Sequence, residues 1–137
     1  VVKTTIMIDL TGLKDGGTAG DIIGKDGSGV AFIGQVTTAN QGTVFGVTMT
    51  CLETPAGGST DIDLFSATEG TGVNDTAIGD LTETQIINAG AASAGTVVAG
   101  GDIAADQFLY LVSQGTGDAT YTAGRFLIEI TGFDAAS

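Results

Sequence analysis

Along the first ten residues, VVKTTIMIDL, apolar and polar positions alternate. Ile6, Ile8 and Leu10 fall on one side, Lys3, Thr5 and Asp9 on the other. A period of two marks a half-buried strand. Glycine and charge break the pattern in TGLKDGGTAGD, after which GVAFIGQVTT and TVFGVTMTCLE read as strands joined by a hairpin connection at ANQG. In the second of these Phe45, Val47, Met49 and Cys51 share a face, and Pro55, with no N–H to give to a ladder, is expected to end it. DIDLFSA resumes the alternation, with Ile62 and Leu64 opposite Asp61, Asp63 and Phe65.

The stretch from Thr68 to Asp102 is rich in glycine and threonine, which favours short strands and loops over a helix at Leu81–Asn88. The last apolar segments are clearer. QFLYLVS is apolar on both faces, as in a strand covered on both sides. RFLIEITGF alternates, with Phe126, Ile128 and Ile130 inside and Arg125, Glu129 and Thr131 outside. The two read as a closing hairpin whose long connection, Gln114 to Gly124, projects as a contact loop carrying Thr116, Asp118 and Tyr121. Seven or so short strands without a convincing helix predict an all-β fold. The expected form is an antiparallel β-sandwich, with jelly-roll connectivity as one way to wire it. Its edge strands need protection or a partner.

Length adds that 137 residues make one domain, residues 1–137, with flexible ends expected at the first few residues and at 134–137. Charge narrows the partners. Sixteen acidic residues against four basic ones give −12, which opposes attachment to nucleic acid or to an anionic membrane. No apolar run approaches the roughly 20 residues that span a bilayer, and the Val1-Val2-Lys3 start carries no signal-peptide pattern. The single Cys51 forms no internal disulfide and reads as a buried thiol.

Candidate chemistry is thin. With no histidine the usual nucleophile–base triads are excluded, and none of Lys3, Lys14 and Lys25 stands at Ser-x-x-Lys spacing. No phosphate-binding glycine fingerprint is present, and one cysteine without histidine completes no zinc site. No cofactor is expected. Calcium takes hard oxygen ligands, and Asp61, Asp63, Glu69 and Asp75 stand close in sequence, with Asp15, Asp21 and Asp26 in the earlier glycine-rich loops. None of these matches EF-hand spacing, and the plainer reading is solvated strand faces and turn aspartates. The same carboxylates as a glycosidase pair would need a cleft that spacing does not reveal. Tyr121 alone is a weak platform for a sugar, and Asn74-Asp75-Thr76 reads as ordinary loop sequence.

The phrases DGGTAGDIIG, AFIGQVTT, TMTCLETPAGG, DIDLFSA and FLYLVSQGTGDATYTAGRFLIEITGF together resemble small structural proteins of marine tailed bacteriophages, cyanophages included. These are proteins of the kind that decorate or cement the capsid. The likeness runs from about Asp15 to Phe133 in texture and phrase order and contains no catalytic motif. It implies a non-enzymatic, β-rich virion protein on the outer capsid surface, made in the host cytoplasm. Its implied partners are the major capsid protein and its own copies, often as a homotrimer. Three of the four basic residues, Lys3, Lys14 and Lys25, lie in the N-terminal quarter, so the N-terminal arm and the nearby loops are expected to approach the shell. Two rivals share fold and acidity: a sandwich module that grips a glycan or surface polymer, with or without calcium, and a tail or fibre domain.

Overall fold

A computed structural model describes residues 1–134. Among these residues nine strands form two antiparallel sheets. They are β1 (Val2–Asp9), β2 (Asp21–Ile22), β3 (Gly34–Gln35), β4 (Thr43–Ala56), β5 (Ile62–Ala67), β6 (Glu83–Ile87), β7 (Val97–Gly100), β8 (Phe108–Ser113) and β9 (Ala123–Phe133). One sheet runs β1-β9-β4-β7; the other runs β2-β8-β5-β6, with β3 also on β8. The pairs β1·β9, β2·β8, β4·β7 and β5·β6 nest inside one another along the chain, as in one long hairpin. Rolling that hairpin up adds β4·β9 and β5·β8. This is jelly-roll wiring, an all-β antiparallel sandwich.

Between the sheets lies the main core. Ile128, Ile130, Phe126, Val47 and Met49 from one sheet meet Ile62, Leu64, Leu109, Leu111 and Ile87 from the other. A second, smaller cluster sits on the far side of the β2-β8-β5-β6 sheet, where Ile22, Phe65, Ala67, Ile78, Tyr110 and Val112 pack together. Strand β8 therefore has apolar residues on both faces, as its unbroken apolar sequence requires.

Five expectations are corrected. QFLYLVS and RFLIEITGF are β8 and β9, but they lie in different sheets, so Gln114–Thr122 crosses between layers instead of turning a hairpin. Only Gly34 and Gln35 of GVAFIGQVTT are strand, and they pair with β8. The expected hairpin connection at ANQG is a short helix, α1 (Thr38–Gln41), because the Thr37 hydroxyl accepts from the Asn40 N–H while the Gln41 side chain accepts from the Thr37 N–H. Phe45 leaves the face of Val47, Met49 and Cys51: a bulge between Val44 and Gly46 gives Val44 its place in the core and turns Phe45 to solvent. Pro55 does not end β4 but lies buried within it. It falls inside a register shift between Glu53 and Ala56, where the ladder makes no call on its missing N–H.

The segment expected as an N-terminal arm is strand from Val2 onward. Of the C-terminal 134–137, only Asp134 falls within the described residues.

Candidate functional site

The outer face of the β1-β9-β4-β7 sheet is built in cross-strand rows. Met7, Leu127, Thr50 and Val97 stand side by side, one residue from each strand. Next to them run Thr5, Glu129, Thr48 and Ala99, and beyond those Lys3, Thr131 and Gly46. On the other side Asp9, Arg125 and Glu53 close the array. Strand alternation sends these side chains outward because their neighbours Ile6, Ile8, Ile128, Met49 and Val98 point into the core.

Nothing among the described residues covers this face. Val97 is 60% and Met7 59% exposed, with Leu52, Phe45 and Phe133 also open to solvent. Phe45 and Phe133 lean together with ring centroids 6.0 Å apart. Beside Phe45 a shallow groove of about 330 Å³ is lined by Lys3, Thr48, Ala99, Glu129 and Thr131. The charged groups are tied in pairs: Lys3 Nζ lies 3.1 Å from Glu129 Oε2, and Arg125 lies 3.5 Å from Glu53. Across these rows two cations stand against three anions, a balance of −1 on a chain of −12. The face is nearly neutral on an acidic molecule, with exposed apolar side chains, Met7, Val97, Leu52, Phe45 and Phe133, set among threonines and paired charges.

The other predicted contact residues lie elsewhere. Tyr121 is 1% exposed, and its hydroxyl donates to the Ser59 carbonyl at 2.7 Å; burial and then Asp15 push its phenol well above the usual range. The loop it belongs to does not project. Gly12, Leu13, Asp15 and Gly16 hydrogen-bond through their backbones to Tyr121, Ala119 and Asp118, and Lys14 bridges to Thr120. Thr116 and Asp118 remain exposed on it, while Asp118 holds the Lys14 ammonium at 3.4 Å. Lys14 also approaches Asp26 at 3.7 Å, and these two carboxylates, Asp118 first, raise its pKa. Lys25 is exposed on the following loop. Of the three lysines only Lys3 belongs to the open face.

The four calcium candidates do not converge, and among the described residues no three acidic, histidine or cysteine side chains gather as a metal site. Asp63, expected on a solvated strand face, is 1% exposed: it accepts from Gln85, Gln114 and the Ala89 N–H. Asp61 beside it keeps a buried Oδ1 without a partner, and burial, then Asp63, raises its pKa. Glu69 accepts twice from Thr82, whose bonds lower its pKa. Asp75 accepts from the Gly17 N–H. Asp15, buried, accepts from the Ala119 and Ser59 N–H groups. These carboxylates cap loop backbone, as turn aspartates do. The Asn74 amide NH2 donates to the Lys14 and Ile22 carbonyls, while its buried Oδ1 has no partner among the described residues. Cys51 is buried with its pKa raised by that burial.

Sequence reasoning missed Met7, Leu52, Val97 and the outward turn of Phe45 as site residues. Met7 had a signal: it is an apolar residue at a polar position in the alternation of β1. Compared with known proteins, the chain matches no family model, no curated protein and no solved structure.

Proposed function

We propose that this protein is a non-enzymatic structural protein of a phage virion that binds the outer surface of the capsid through the open face of its four-stranded sheet. The observation that carries the reading is that face: Met7, Leu52, Leu127 and Val97 form an uncovered apolar patch on a scaffold whose opposite outer face is buried by its own loops. A shell-binding protein needs a rigid, complementary surface and no reacting group, and strong negative charge suits a surface turned away from packaged DNA. The wiring agrees, since jelly rolls recur in viral shells, though they recur in lectins too, so fold alone decides nothing.

A second reading draws on one feature of the same face. The groove beside Phe45 sets an exposed aromatic ring next to Lys3, Glu129 and Thr131, a combination that fits a sugar ring and its hydroxyls. The test is cosedimentation of the purified protein with capsids of marine tailed phages stripped of their decoration protein, across a salt series. Saturating occupancy at a fixed ratio to the major capsid protein is expected. No binding to any such capsid, together with binding on a glycan array, would replace the first reading with the second.

A further inference from the structure

The four-stranded sheet ends on β1, and that end is open. Its eight residues pair with β9 in an uninterrupted register, and no backbone hydrogen bond joins the opposite edge to any described residue. The remaining sheet margins are short: four residues in β7, five in β6 and two each in β2 and β3. Strand β7 is also closed off by β6, since a Cβ on Gly100 would stand 2.6 Å from the Ile86 carbonyl oxygen. Proteins blunt exposed edges with proline, bulges, short length or charge; β1 has no proline or bulge, is eight residues long, and carries its two charges, Lys3 and Asp9, near its ends.

The core is unfinished at this edge. Ile6 and Ile8 point inward yet are only partly buried, whereas Ile128 and Phe126, directly across on β9, are at most 1% exposed. Beside them a groove of about 310 Å³, lined by Met7, Ile8 and Leu13 and rimmed by the exposed Val30 and Phe32, keeps apolar surface in water.

We propose that β1 pairs antiparallel with β1 of a second copy about a two-fold axis at Ile6, joining two four-stranded sheets into one of eight. The sequence of the strand selects both the partner and the register. Registers that keep core-facing residues on one side differ by steps of two residues. With the axis at Ile6, Lys3 of each copy stands opposite Asp9 of the other, Thr5 opposite Met7, and Ile6 opposite itself. With the axis at Thr5, Lys3 meets Met7; with the axis at Met7, Lys3 falls opposite Thr11 and Asp9 opposite Thr5. Only the middle register sets unlike charges face to face, and it does so twice, at cross-strand separations of roughly 5 Å. The strand itself is charge-neutral, so two chains of −12 meet there without bringing like charges together. Such an isologous contact closes on itself as a dimer. The pairing stands whether or not the face above it binds a shell.

The test is sedimentation velocity of the full chain at low salt, with two charge reversals. The wild type is expected to be a dimer at concentrations of about 100 µM. Lys3→Asp and Asp9→Lys each bring two pairs of like charges together and are expected to weaken the dimer by about tenfold or more. Mixed in equal amounts, the two variants meet each other's opposite charges and are expected to form a 1:1 dimer within about threefold of wild-type affinity. The unfolding midpoint of each variant reports its folding. Hydrogen exchange of the wild type, which needs no variant, is expected to slow at residues 2–9 as concentration rises. A monomeric wild type, a trimer, single variants that dimerise undiminished, a folded mixture that stays monomeric, or exchange at β1 independent of concentration would each overturn the proposal.

Discussion

The two sheets of this sandwich share a core but treat their outer faces in opposite ways. On the β2-β8-β5-β6 sheet, the loops around Gly72 and Ile78 fold over Phe65, Ala67, Tyr110 and Val112 and seal them. The Tyr110 hydroxyl fastens this cover, donating to the Glu69 carbonyl at 2.8 Å and accepting from the Gly72 N–H at 3.1 Å. Gly72 is needed there because a Cβ would stand 2.7 Å from Ile22 and 2.8 Å from Tyr110. On the β1-β9-β4-β7 sheet no described residue supplies a cover, and Met7 and Val97 stay open. This unequal cover is what the proposed contact through the bare face rests on.

That contrast predicts unequal responses to substitution. The largest is expected from Phe65→Ala in the covered layer, which removes a nearly buried ring and costs about 3–5 kcal/mol in urea unfolding. Tyr110→Phe keeps the ring but leaves the Glu69 carbonyl and the Gly72 N–H without their partner, a loss of about 1–3 kcal/mol by the same measurement. If either change proved neutral, the cover would not be holding the layer shut.

Asp61, at the entry to β5, sharpens the comparison through pH. Its folded pKa is raised above 3.8, by burial and then by Asp63, so its contribution to stability is complete below the unfolded value and is lost as pH rises through the folded one. Asp61→Asn is therefore expected to match the wild type at the acid end and to exceed it at neutral pH. A stability difference that does not grow with pH in thermal melts across this window would contradict the assignment. The smallest effect belongs to the bare face: Val97→Ser is expected to shift stability by no more than about 0.5 kcal/mol. A large loss there would mean that the face is part of the core.

The same contrast separates what was legible in the sequence from what was not. Where a strand has one wet and one dry face, alternation announces it, and β1 and β9 read correctly down to Phe126, Ile128 and Ile130. The doubly covered β8 was legible as an unbroken apolar run. Pairing was not, because a jelly roll joins strands far apart in sequence: β8 and β9 adjoin along the chain yet belong to different sheets. A single bulge was enough to reverse Phe45, and period alone does not reveal where an extra residue is inserted. Tyr121 lies in a run of glycine and threonine with no period to betray its burial, so a loop expected to project proved to be stitched to residues 12–16. The reading of the acidic loops as turn aspartates holds at Asp15 and Asp75, which accept loop N–H groups, but which N–H groups they accept was not legible, since those partners lie far along the chain.

The measurement that tests the central claim most directly is capsid cosedimentation of a variant with both Met7→Glu and Val97→Glu, run beside the wild type after its unfolding midpoint has been matched. Both side chains are more than half exposed, so folding is expected to survive the change. The open-face account predicts that occupancy falls at least about tenfold, since two charges then sit in an apolar contact. A folded variant that still saturates the capsid at the wild-type ratio would contradict it.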